Sequence, residues 1–262
     1  MNLLEAIILG IVQGLTEFLP VSSSGHLTIG KELLGIDSSN LAFEITVHAA
    51  TVLSTIVAFR KEVAGLIAGL FKFKMNQETT YILKIAVSMI PIFIVGIFFK
   101  DFVESLFGEG LLIVGIALLV TASLLYLSAI IKPKEKGITF RNAFVIGIAQ
   151  SIAVIPGLSR SGTTISTGLM LGVKREHIAK FSFLMVLVPI LGEAFLELAS
   201  GELSEANAGI AMIPLLAGFT AAFLSGLLAC KAMIALVKRT KLKGFAIYCA
   251  VVGIVAIIFA YV

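Results

Sequence analysis

The sequence predicts an all-α integral membrane protein: an inverted-topology repeat of about six transmembrane helices plus two re-entrant helix–loop–helix hairpins. Three observations carry this. Apolar residues make up 58% of the 262 and charged residues only 14%, against roughly 45–50% and 25% in soluble domains. The stretch "LGIVQGLTEFLPVSSSG" (9–25) returns as "IGIAQSIAVIPGLSRSG" (146–162) at a constant offset of 137. Lysine and arginine sort to one side of the membrane once two broken segments are allowed to turn back inside it.

The elements follow in order. Segment 3–36 is apolar at both ends but broken by Pro20 and the run Ser22–Gly25. Each half is too short to cross about 30 Å of hydrocarbon, so a hairpin returning to its face of entry is expected. Glu5 stands where a cleaved leader would be basic, so none is expected. Spans at 41–60, 79–99 and 111–131 complete a first repeat, 1–131. The second repeat, 132–262, holds hairpin 140–173 and spans 177–199, 209–231 and 244–261. Three spans separate the hairpins, an odd number, so the hairpins enter from opposite faces and their tips meet near the midplane. Irregular backbone at that depth is tolerated only when protein or a wet cavity covers it.

Charge tests this topology. On the N-terminal side lie Lys31 and Lys100. The opposite side collects Arg60, Lys61, Lys72, Lys74, the basic residues of 132–141, Lys174, Arg175, Lys231 and the basic stretch "KRTKLK" (238–243). Lys84 and Lys180 sit in helix ends nearest that side, and Arg160 alone lies deep. The positive-inside rule makes the basic side cytoplasmic, with both termini outside and the acidic loop 200–208 outside as well. A net charge of +4 gives no reason to expect a nucleic acid partner. Cys230 and Cys249, both in apolar segments, are expected as buried free thiols.

The hairpin tips carry the chemistry. Gln13 and Glu17, four apart, share one helix face. A carboxylate at membrane depth costs roughly 2.5–3.5 kcal/mol on insertion scales and needs a partner, either a divalent cation or Arg160. After Pro20, Ser22 or Ser23 caps a second helix whose free N–H groups favour an anion. Ser23 and His26, three apart, are placed to meet over its first turn, a hydroxyl beside an imidazole. Serines also cap helices everywhere, so this pair alone is weak. The second tip, "PGLSRSGTT" (156–164), adds Arg160 between Ser159 and Ser161, with Thr163 and Thr164 one turn on. Guanidinium, hydroxyls and helix N–H groups together make a phosphate cradle. With a carboxylate suited to a hard cation, the tips fit a lipid diphosphate. Ser22, Ser24, Gly25, Ser159, Arg160, Ser161 and Thr164 are the expected diphosphate contacts. Glu44 and His48, four apart on the first span, extend the site or anchor the outer interface. Glu193 is expected at a helix interface.

The paired motifs "QGLTEFLPVSSSGH" and "PGLSRSGTT" resemble those of the undecaprenyl-diphosphate phosphatases, the bacitracin-resistance BacA/UppP type. The resemblance covers essentially the whole chain. It implies a bacterial cell-membrane enzyme that hydrolyses the C55 polyprenyl diphosphate to its monophosphate and recycles the carrier lipid for peptidoglycan synthesis. It also implies a divalent cation, Mg²⁺ or Ca²⁺, held by Gln13 and Glu17, and the catalytic set Glu17, Ser23, His26 and Arg160. Many members carry Glu where this chain has Gln13, which coordinates through oxygen but brings no charge. The expected mechanism has Arg160 grip the diphosphate while Ser23 attacks phosphorus and His26 takes its proton, or has His26 attack directly. The rival from another class is a polyprenyl-phosphate flippase, which needs the cradle but not Ser23, His26 and a metal carboxylate together. The expected partners are the lipid substrate and membrane lipid, with a homodimer left open and the active site facing outward.

Overall fold

The computed structural model describes residues 1–36, 41–107, 110–131, 135–192, 210–239 and 242–261, and they are helical with short turns. The helices are α1 (Leu3–Phe18), α2 (Ser23–Leu34), α3 (Leu41–Ala58), α4 (Arg60–Leu70), α5 (Gln77–Phe98), α6 (Lys100–Phe107), α7 (Gly110–Ile130), α8 (Phe140–Ile152), α9 (Arg160–Met170), α10 (Arg175–Met185), α11 (Met212–Arg239) and α12 (Lys243–Phe259). A short helical run, 187–192, follows α10. Glu193, the loop 200–208 and residues 240–241 of the basic stretch lie outside the described residues.

Local chemistry sets the hairpins. A capping box starts α1: Glu5 N–H donates to Asn2 Oδ1 (2.9 Å), and Asn2 N–H donates back to the Glu5 carboxylate (2.7 Å). Leu19 is extended and Pro20 has no N–H to give, so α1 ends there. Ser22 then caps α2, and Gly35, at φ +63, ends it in the left-handed conformation that glycine takes without strain. The fold-back along α1 is close: a Cβ at Gly30 would stand 2.9 Å from Leu9 Cδ2. The second hairpin also ends where it began. Lys136, before α8, donates to the Gly172 carbonyl (3.1 Å) and accepts from Lys174 N–H (3.0 Å), both just after α9.

Each hairpin leans on the other half of the chain. α1 packs along α11, α8 along α5, and α7 along α12. Small residues allow the approach: Gly10 faces the Gly218 carbonyl, Gly147 the Ser88 carbonyl, and Gly115 the Gly253 carbonyl. Phe18, Phe59 and Phe183 meet in the main core, with ring centroids 5.9 and 6.1 Å apart. Outward faces are apolar, as lipid requires; Leu4, Ile8, Ile11 and Leu15 make an exposed stripe on α1. Cys230 and Cys249 are buried and free.

The spans depart from six uniform helices. Among the described residues, α5, α7 and α11 are long and apolar enough to cross alone, and α12 is a shorter apolar helix. The expected span 41–60 stops at Ala58, and α4 leaves it at 77°. The expected span 177–199 is broken at Val186. Pro189 explains that break, because its ring clashes with the carbonyl four residues earlier and it cannot donate to it.

Gly10→Ala should need backbone movement, since the new Cβ would meet the Gly218 oxygen at 2.4 Å. It should cost about 1–3 kcal/mol, read as a lower thermal midpoint in detergent. Gly96→Ala, with nothing within 4 Å, should leave that midpoint unchanged or higher.

Candidate active site

The two tips touch. Ser161 Oγ donates to the Leu19 carbonyl (3.2 Å), and Gly157 N–H donates to Ser24 Oγ (3.4 Å). Gly157 holds φ +87, and a Cβ there would strike the Val114 carbonyl at 2.6 Å, so both conformation and space call for glycine. Ser22 and Ser159 cap the two inner helices alike. Ser22 Oγ accepts from Gly25 N–H (3.2 Å), and Ser159 Oγ accepts from Gly162 N–H (3.1 Å). The N–H groups of Ser23, Ser24, Arg160 and Ser161 open those helices without intrahelical acceptors, at the positive ends of both dipoles.

Glu17 is the hub. Arg160 Nη2 donates to Glu17 Oε1 across the tips. Its other oxygen, Oε2, accepts from Ser23 Oγ (2.5 Å) and from Gln13 Nε2 (2.9 Å). The Glu17 side chain is 6% exposed and that of Arg160 25%. His48 lies within electrostatic reach of Glu17. Glu44 instead pairs with Lys31 (2.5 Å), a buried bridge between α3 and α2. A small cleft opens at the hub, with Glu17, Arg160, Ser161 and Thr55 among its polar lining and Val186 and Ile190 among its apolar lining. That mixture suits a charged head on an apolar tail.

Two expectations change. Ser23 and His26 do not pair: the serine hydroxyl goes to Glu17, and both imidazole nitrogens are held elsewhere. His26 Nδ1 stands 2.8 Å from the Ser22 carbonyl, and Nε2 2.8 Å from the Tyr248 hydroxyl. The reason is the cap: Ser22 holds φ +71, and its carbonyl lies under the ring at position i+4. Thr164 is fully buried. Its hydroxyl donates to the Arg160 carbonyl (2.8 Å) and meets Ser182 Oγ (2.7 Å), anchoring α9 to α10. Tyr248 was not singled out in the sequence. Its signal is a phenol inside an apolar helix, which needs a hydrogen-bonding partner.

Metal fit rests on Gln13. Its amide nitrogen is given to Glu17, while its buried Oε1 has no partner. Oε1 and the Glu17 carboxylate are hard oxygen donors, suited to a cation that takes its remaining ligands from phosphate and water. Among the described residues no group of three His, Cys, Asp or Glu forms an all-protein cage.

Comparisons with known proteins give the family. The family model described as "Bacitracin resistance protein BacA" matches residues 6–255. A protein of Bacteroides fragilis named undecaprenyl-diphosphatase is 59% identical over 261 residues, covering 98% of each chain. Proteins of the same name from Parabacteroides distasonis (98% of each chain) and Christiangramia forsetii (100% of this chain, 99% of the relative) are 58% and 53% identical.

Removing one partner of a buried ion pair costs roughly 3–5 kcal/mol, less here because the guanidinium is partly exposed. Glu17→Gln and Arg160→Met should each lower the thermal midpoint, and the double variant should lie well above the sum of the two losses. Simple additivity in that cycle would show that the pair does not couple the tips.

Proposed function

The chain belongs to the bacitracin resistance protein BacA family, and from that premise we propose how the Glu17 cluster performs the family's reaction. The chain is an undecaprenyl-diphosphatase. It hydrolyses undecaprenyl diphosphate to the monophosphate and inorganic phosphate, returning the carrier lipid to cell-wall synthesis. The single observation carrying the mechanism is the 2.5 Å hydrogen bond from Ser23 Oγ to a carboxylate that Arg160 of the other tip also holds.

The diphosphate enters between the two helix N-termini, and the Arg160 fork turns from Glu17 to the phosphate oxygens. Ser23 Oγ attacks the terminal phosphorus. The O–P bond forms, the bridging P–O bond breaks, and the lipid monophosphate leaves with the electron pair. The Ser23 proton passes to Glu17 Oε2, the acceptor already in place. In the second step, water attacks the phosphoserine and gives a proton to His26 Nε2. The Ser23–phosphorus bond breaks, Ser23 recovers its proton from Glu17, and His26 gives its proton to bulk water as phosphate leaves. Nδ1 faces a carbonyl, an acceptor only, so it carries the ring proton and leaves Nε2 as the base. A divalent cation held by Glu17 and Gln13 Oε1 would neutralise charge on the phosphates. The hydrolase name of the relatives favours this over a flippase, and transport would have no use for a serine hydrogen-bonded to its own base.

The same proposal extends to topology. Residues 1–131 and 132–262 form inverted repeats with both termini outside. Several features support this: equivalent caps Ser22 and Ser159 stand 137 apart, each outer hairpin helix packs on the opposite half, and the tips oppose. Lys180 bridges Glu62 (3.6 Å), and Lys174 bridges Glu135 (3.7 Å), gathering the basic ends on one side.

Phosphate release from the C55 diphosphate in detergent tests the roles. Ser23→Ala and His26→Ala should each lose roughly 10²–10⁴-fold, and Arg160→Lys roughly 10²-fold, with folding retained. Near wild-type turnover by Ser23→Ala would remove it as nucleophile. For topology, Glu32→Cys, exposed at the end of α2, should react with an impermeant thiol reagent only from outside; labelling only from the cytoplasm would invert the assignment.

A further inference from the structure

The last helix reaches the first hairpin through two consecutive residues. Tyr248 Oη stands 2.8 Å from His26 Nε2, and Cys249 Sγ donates to the Pro20 carbonyl (3.5 Å). The His26 and Tyr248 rings lie nearly parallel, 7° apart, with centroids at 5.6 Å. Otherwise α12 packs mainly on α7. Tyr248 is 45% exposed, so core packing does not force this contact.

The hydrogen-bond directions follow from the acceptors. The Ser22 carbonyl takes the proton on Nδ1, so Nε2 presents a lone pair, and the Tyr248 hydroxyl donates to it. His26 is thus held at both nitrogens and along its ring plane. Rotation about its side-chain bonds would break both hydrogen bonds. Without the phenol, the Nε2 edge would lose its only protein partner among the described residues.

We propose that Tyr248 is a positioning residue for the second half of the reaction. It fixes the plane and tautomer of His26 so that Nε2 stays an unprotonated acceptor until the water that cleaves the phosphoserine arrives. The Tyr248 hydroxyl is displaced by that water and keeps its own proton throughout. This role rests on the mechanism above, in which His26 serves the water step and Glu17 serves the Ser23 attack. Loss of Tyr248 should therefore slow dephosphorylation and spare phosphorylation.

Rapid-quench kinetics separate the two steps. Tyr248→Phe keeps the ring and loses only the hydroxyl. It should release about one equivalent of lipid monophosphate per enzyme at the wild-type rate, then turn over at least tenfold more slowly, with KM not raised. Phosphate should accumulate on Ser23, detected by mass of the quenched protein. Tyr126→Phe, on the exposed face of α7, should behave as wild type. His26→Ala should show the same burst with slower release, and adding Tyr248→Phe to it should change nothing further. Wild-type kinetics in Tyr248→Phe, equal slowing of both steps, or a multiplicative loss in the double variant would overturn the role. Wild-type turnover in His26→Ala would remove His26 from the mechanism, and the Tyr248 role with it.

Discussion

One carboxylate and one guanidinium, facing each other between two loops, tie the two halves of this chain together. Glu17 comes from the first hairpin and Arg160 from the second, 143 residues on. Neither charge is tolerable alone in hydrocarbon. Neither turn is tolerable alone either, because each leaves helix-end polar groups that lipid cannot satisfy. The tips solve both problems together: Leu19 gives its carbonyl to Ser161, Gly157 gives its N–H to Ser24, and the ion pair closes the gap. The same arrangement brings two helix N-termini to the touching tips, and a helix N-terminus favours an anion.

The two halves divide the work. The first tip carries the carboxylate, the hydroxyl and the imidazole; the second carries the guanidinium. The second copy keeps the glutamine, as Gln150, and the capping serine, as Ser159, but has Val154 where Glu17 stands. Arg160 occupies the place equivalent to Ser23. Two similar sequence stretches thus place different groups at equivalent positions, Ser23 in one and Arg160 in the other. The cleft between them borders Val186 and Ile190, so the head group can be held while the chain stays in an apolar setting.

Much of this was legible in the sequence because its signals are local and strong. Pro20 and Pro156 cannot continue a helix, and Ser22 and Ser159 restart one, so broken helix pairs, α1 with α2 and α8 with α9, lie within 3–36 and 140–173. The cost of an unpaired charge called for a partner to Glu17, a divalent cation or Arg160, and the structure pairs it with Arg160. What was not legible depends on geometry that spacing does not encode. Ser23 and His26 are three apart, yet the left-handed Ser22 places its carbonyl under the imidazole, and the hydroxyl goes to Glu17. The partner of His26 lies 222 residues away on an apolar helix. Glu44, read as extending the site or anchoring the outer interface, pairs with Lys31. The 77° corner after α3 has no proline or glycine to announce it.

In the proposed path Ser23 attacks covalently, with Glu17 as its base while Arg160 holds the phosphate. Stereochemistry at phosphorus tests it most directly. With a substrate whose terminal phosphorus is made chiral by sulfur and oxygen isotopes, two successive in-line displacements predict retained configuration in the released thiophosphate. Inversion would mean a single attack by water, and would contradict the account.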